Sequence, residues 1–80
     1  MTGWAEGMAA RIVEHDDQTR QPRPGGKVIP ATVASEAGIY VTVKFNDPEW
    51  PRPRDTLMSF YAESGWAAWD GMFRWRVEAA

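Results

Sequence analysis

The sequence contains no cysteine and a single histidine, His15, in 80 residues. Without cysteine there is no disulfide and no thiolate metal site, so packing alone must hold the fold, and this usage fits a reducing compartment. One imidazole cannot complete a zinc site, and neighbours in "EHDD" (Glu14, His15, Asp16, Asp17) point to opposite sides of an extended chain. That stretch reads as a solvated strand end and turn, with no metal site. No apolar run approaches the roughly 18 residues of a membrane-spanning helix, and "MTGWAEGMAARIVEHDD" lacks the basic opening and unbroken apolar stretch of a signal peptide. The expected location is cytoplasmic, without membrane contact. A basic excess is missing too: nine Lys and Arg stand against eleven Asp and Glu, a net charge of −2. Phosphate polyanions are attracted by basic surfaces, so nucleic acid is disfavoured as a partner.

The signatures of catalysis are equally sparse. "PGGK" (24–27) is followed by Val28 instead of Ser or Thr and lacks the upstream glycine of a phosphate-cradling loop. No hydroxyl sits in a nucleophile elbow, and His15 is the sole imidazole that could act as its base. A domain of this size also leaves little room for the several-hundred-Å³ pocket of a typical substrate site. The expectation is a protein that is not an enzyme and carries no cofactor.

What is present suits one globular domain spanning residues 1–80. Hydrophobic residues make up 44%, with five Trp, three Phe and four Met, while 25% charged residues keep the surface wet. A chain this short buries a modest fraction of its surface, so its large rings are needed inside. Seven of the nine basic residues are Arg, and Ala, Gly and Pro are frequent, a composition that suggests a GC-rich bacterial or phage genome.

Two segments rich in turn-formers, "DDQTRQPRPGG" (16–26) and "NDPEWPRPRD" (46–55), divide the chain into three blocks. In the middle block Ile39, Val41, Val43 and Phe45 alternate with Tyr40, Thr42 and Lys44, the period of a strand with one buried face. Val28 to Ala34 reads as a second strand, joined to the first by a four-residue hairpin loop, "SEAG", in which Gly38 supplies a positive φ. Pro30 cannot donate to a ladder, which places that strand at an edge or bulges it there. The first block reads as a loose N-terminal segment, 1–8, followed by a strand from about Ala9 to His15. "DTLMSFYAESG" gives another strand, with Met58 and Phe60 on one face and Leu57 and Tyr61 on the other, both faces partly covered.

The C-terminal stretch "GWAAWDGMFRWRVEAA" carries three tryptophans and a phenylalanine. Asp70-Gly71 is a preferred two-residue turn, and a hairpin centred there sets Trp66 opposite Trp75 and Ala68 opposite Phe73. Trp66, Phe73 and Trp75 then join Val41, Val43, Phe45 and Phe60 in the core. Trp69 falls on the other face with Arg74 and Arg76, close enough for an arginine to lie over its ring, and the alanines fit opposite the large rings as a barrel interior requires. The sum is a mainly β protein: a small barrel of five to six strands, or a compact antiparallel sheet, with two long Pro-rich loops. A long first loop followed by tight hairpins resembles the layout of small SH3-like barrels, in architecture alone.

Two surfaces invite a partner. "PEWPRPR" alternates prolines, which favour an extended polyproline II form, with Trp50, Arg52 and Arg54. Trp69, Arg74 and Arg76 combine the residue types enriched at interfaces. The expectation is a non-catalytic protein-interaction module or assembly component that meets a protein partner, or another copy of itself, through Trp50, Arg52, Arg54, Trp69, Arg74 and Arg76. The alternative is a nucleic-acid-binding barrel in which Arg52, Arg54, Arg74, Arg76 and Lys44 gather on one face despite the net negative charge.

Overall fold

The computed structural model describes residues 3–45, 56–68 and 74–80. Over these residues the chain is mainly β, with no helix: five antiparallel strands, β1 (Ala9–Glu14), β2 (Val28–Ala37), β3 (Tyr40–Phe45), β4 (Thr56–Tyr61) and β5 (Trp75–Ala79). They form one sheet in the order β4-β3-β2-β1-β5, curled into a half-barrel. The gap between the edge strands is crossed by the short segment 65–68. Ala67 stands opposite Phe60 of β4, while its neighbour Trp66 stands opposite Arg76 of β5. Four backbone bonds carry these bridges, Tyr61 N–H to Trp66 O, Ala68 N–H to Ser59 O, Ala67 N–H to Trp75 O and Val77 N–H to Gly65 O, at 2.8 to 3.1 Å. Edge strands that would otherwise expose unpaired donors are thereby partly covered.

Alternation decides which side chains go inside. On β3, Val41, Val43 and Phe45 are buried while Tyr40 and Lys44 are exposed, as a strand with one buried face requires. On β1, Ala10 and Ile12 point inward, and Arg11 points out to an ion pair with Glu78, directly opposite it on β5, with Nε–Oε1 2.6 Å. The core is Ile12, Ile29, Val33, Val41, Val43, Phe45, Phe60 and Val77 with small residues Ala10, Ala62 and Ala67 among them, and Trp4, Met8, Ala31, Met58 and Trp75 pack at its margin. Phe60 is fully buried, and removing its ring from water contributes about 2–3 kcal/mol. Ala67 lies between it and Trp75, so a small residue separates two rings where the half-barrel closes.

Several expectations are corrected. The β2–β3 loop is two residues, Gly38 and Ile39, because Ala37 pairs with Tyr40 and the "SEA" residues belong to β2. Gly38 takes φ 61° at the first loop position, where two-residue hairpins need a positive value. Ile39 therefore leaves the strand pattern and is 64% exposed. Pro30 lies in a central strand, not at an edge, and the bulge falls at Ala34, where Val33 opposes Val43 but Ser35 opposes Thr42. Opposite Arg11, Pro30 occupies a position whose nitrogen faces away from β1. On the other side its neighbour Ala31 opposes Phe45, the last residue of β3, so the missing donor leaves the described ladders intact. The extra residue at Ala34 also sharpens the local twist that curls the sheet.

The N-terminal residues are held rather than loose from Trp4 onward. Trp4 Nε1–H donates to Ala62 O at 2.9 Å, and Gly7 N–H donates to Val33 O at 2.8 Å. At the C-terminal hairpin the pairing is slipped by one residue from that expected for a turn centred on Asp70-Gly71: Trp66 opposes Arg76, not Trp75. A one-residue slip exchanges the faces of a strand. Trp75 and Val77 stay inward as expected, but Trp66 moves to the outer side and Ala67 takes the inner position. The turn itself and Phe73 lie outside the described residues.

Candidate interaction surfaces

Of the six residues expected to meet a partner, Trp50, Arg52, Arg54 and Trp69 lie outside the described residues. Arg74 and Arg76 are exposed, and both make contacts within the chain. The Arg76 guanidinium lies over the Trp66 ring, 5.4 Å from its centroid, and Nε donates to Ser64 O at 2.9 Å. Arg74 sits 6.0 Å from the Trp75 ring centroid, and its Nε is 3.9 Å from Glu14 Oε2, a carboxylate that Arg23 also approaches at 3.7 Å. An arginine over an indole is therefore present on Trp66, the ring assigned to the core by the expected register. Lys44 lies on β3, three strands away from β5 in the sheet.

His15 is not a solvated strand end. It is 3% exposed, pairs with Pro22 across the first loop, and meets the Trp66 ring edge-on at a centroid distance of 5.0 Å. Its Nδ1–H donates to Val13 O at 2.9 Å, since only a donor can satisfy that carbonyl, and its backbone N–H donates to Arg74 O. Asp16 shapes the loop beyond: its Oδ1 accepts the N–H groups of Gln18 and Thr19 at 2.8 and 3.1 Å. Those two bonds, the Gln18 bond first, hold the Asp16 carboxyl below the ordinary carboxylate range. A polar pocket of about 440 Å³ opens here, lined among the described residues by His15, Asp16, Asp17, Gln18, Arg23 and Arg74. Glu14 approaches both guanidiniums, and the Asp16 carboxylate accepts the N–H groups of the turn. Among the described residues no group of three or more His, Asp or Glu side chains could hold a metal ion.

The exposed apolar surface lies elsewhere, on the outer face of β3 and β4. Three cross-strand pairs line it: Tyr40 with Tyr61, Thr42 with Ser59, and Lys44 with Leu57. The tyrosine rings lie 5.6 Å apart and tilted by 30°, and the Thr42 and Ser59 hydroxyls are hydrogen-bonded at 3.0 Å. Tyr40, Leu57 and Tyr61 are 42%, 59% and 40% exposed, and Ile39 extends the patch past the tyrosine pair. Beside that end a cleft of about 370 Å³ is lined by Gly38, Ile39, Tyr61, Ala62, Glu63 and Ser64. The sequence reading missed this surface by taking Ile39 as buried and the Leu57–Tyr61 face as partly covered. The available signal was Tyr40, Leu57 and Tyr61 falling opposite Val41, Val43 and Phe60.

Among the described residues no helix is long and apolar enough to cross a membrane. No protein-family model, curated protein or solved structure matches the chain.

Proposed function

We propose that the protein is a non-catalytic interaction module or assembly component, of bacterial or phage origin and cytoplasmic, built on a small SH3-like half-barrel that meets a protein partner. The observation that carries this reading is the outer face of β3 and β4, where Tyr40 and Tyr61 pair at one end beside the exposed loop residue Ile39, and Leu57 is exposed at the other end beyond the Thr42–Ser59 pair. Single apolar side chains are ordinary on a small protein, but several on one sheet face, with polar groups among and around them, suit a contact surface. Tyrosine suits that role because a rigid ring loses little conformational freedom on binding and brings both apolar area and a hydroxyl. The two residues of the expected Trp/Arg surface that are described, Arg74 and Arg76, form a charged flank beside Trp66 and Trp75.

Affinity capture from cells of the source organism tests the reading with two folded double variants. A partner retained by wild type and by Arg74→Ser/Arg76→Ser, and lost by Tyr40→Ser/Tyr61→Ser, is the expected result. Equal retention by the tyrosine variant contradicts the assignment of this face. The paired tyrosines also give nucleic acid a specific opening, since aromatic platforms stack unpaired bases. A salt-sensitive shift with single-stranded oligonucleotides that vanishes in the tyrosine variant would favour that second reading.

A further inference from the structure

We propose a second site, independent of the outer face of β3 and β4: the polar pocket at the end of β1 binds a small zwitterion, a free α-amino acid. At about 440 Å³ it has room for a molecule of that size. The imidazole of His15 carries the argument. It lines the pocket although the residue is only 3% exposed. Nδ1–H donates to Val13 O, which leaves Nε2 as an acceptor, and no described residue donates to it. Buried polar atoms are nearly always hydrogen-bonded, so an open acceptor at the wall of a cavity is completed by a donor from outside the chain.

The surrounding charges decide what kind of donor fits. The exposed guanidiniums of Arg23 and Arg74 also line the pocket, and both approach Glu14 Oε2, at 3.7 and 3.9 Å. Those distances are too long for hydrogen bonds, and neither guanidinium is hydrogen-bonded to a described residue. Glu14 is anchored elsewhere, since its Oε1 accepts Lys27 N–H at 3.0 Å. Two forked donors are thereby left open to a further carboxylate, the group whose geometry they match. The two aspartates of the pocket differ: Asp16 accepts the Gln18 and Thr19 N–H groups, whereas Asp17 makes no ion pair with any described residue. Two guanidiniums and two carboxylates in one pocket hold neither a bare anion nor a bare cation well. An oxyanion without a proton would also set acceptor against acceptor at His15 Nε2. A ligand with both charges meets every one of these groups, its carboxylate on Arg23 and Arg74 and its ammonium donating to His15 Nε2 and Asp17. The polar lining favours a small, polar side chain on that ligand, as in serine.

A heteronuclear NMR titration with L-serine tests the proposal. Saturable shifts of the Arg23 and Arg74 Nε–H signals and of His15 Nε2 are expected, with a Kd of about 1 mM. Acetate and ethanolamine carry one charge each and should bind about tenfold or more weakly. Arg74→Gln and Asp17→Asn, both at exposed positions, should each weaken serine binding about tenfold while the remaining amide signals show an unchanged fold. Arg11→Gln removes the ion pair with Glu78, away from the pocket, and should leave binding unaltered. The absence of saturable shifts up to about 50 mM serine overturns the proposal. Acetate binding as tightly as serine, or serine binding indifferent to Asp17→Asn, also overturns it by marking a site for carboxylates alone. None of these results alters partner capture through Tyr40 and Tyr61, so the interaction-module reading stands or falls separately.

Discussion

The His15 ring meets the Trp66 ring edge-on, with centroids 5.0 Å apart and planes at 79°. The contact ties the end of β1 to the segment that closes the half-barrel, and the Arg76 guanidinium also lies over the indole. Edge-to-face rings and a guanidinium over an indole are each worth about 0.5–1.5 kcal/mol beyond the area they bury. Trp66→Ala should therefore lower stability by about 2–3 kcal/mol, less than a fully buried tryptophan would. A double-mutant cycle of Trp66→Ala with Arg76→Ala, read by urea denaturation, should give a coupling of about 0.5–1 kcal/mol.

Gly65 has φ 82°, and a Cβ placed there would stand 2.7 Å from Val77 O and 3.1 Å from Arg76 Cγ. Gly65→Ala meets both a strained backbone and a clash with the ladder that joins segment 65–68 to β5. A loss of about 2–4 kcal/mol is expected. Gly38→Asn is the control, since φ is also positive there but nothing lies within 4 Å of the added carbon. Thermal melts should show the Gly38 variant close to wild type and the Gly65 variant far below it.

Phe60 is fully buried and Leu57, three residues earlier on the same strand, is 59% exposed. Phe60→Ala should cost about 3–5 kcal/mol through lost burial and the cavity left between Ala67 and the core. Leu57→Ala should change the stability of the monomer by less than about 0.5 kcal/mol. Denaturant midpoints at dilute protein concentration compare the two.

Asp16 accepts the N–H groups of Gln18 and Thr19, which lowers its carboxyl pKa in the folded chain. A group depressed on folding stabilises the native state at pH values above its unfolded pKa, and that contribution fades as pH falls through the folded value. The stability gap between wild type and Asp16→Ala should therefore be full at neutral pH and shrink below about pH 4. Asp16→Asn keeps the side-chain acceptor and should retain the turn while losing the pH dependence. Melting temperatures between about pH 2 and 7 measure both effects.

Strand content was readable wherever one face is continuously buried. Val41, Val43 and Phe45 on β3, Ile12 on β1 and the opposed faces of Met58–Phe60 and Leu57–Tyr61 on β4 all follow from a period of two. Register was not readable, because it depends on the number of residues in each turn and on bulges. Ser35 and Glu36 look like loop by composition, yet their pairing with Thr42 and Val41 draws them into β2. Trp66 was sent inward by assuming a turn centred on Asp70-Gly71, and a single-residue slip sends it outward. His15 gave no sign of burial, because its cover is Trp66, distant in sequence. The outer face of β3 and β4 was legible as a pattern, but its exposure is settled by what the rest of the chain packs against, and Tyr40 and Leu57 stay exposed.

Every assignment of inner and outer side chains near the closure rests on Trp66 standing opposite Arg76 in the non-hydrogen-bonded position, flanked by the Ala67–Trp75 and Val77–Gly65 bonds. Such pairs bring their Cα atoms to about 4.5 Å, with the α-protons turned toward each other. A NOESY spectrum tests this directly. The account predicts a strong α-proton cross-peak between Trp66 and Arg76, and a cross-peak between the α-protons of Trp66 and Trp75 in its place would contradict it.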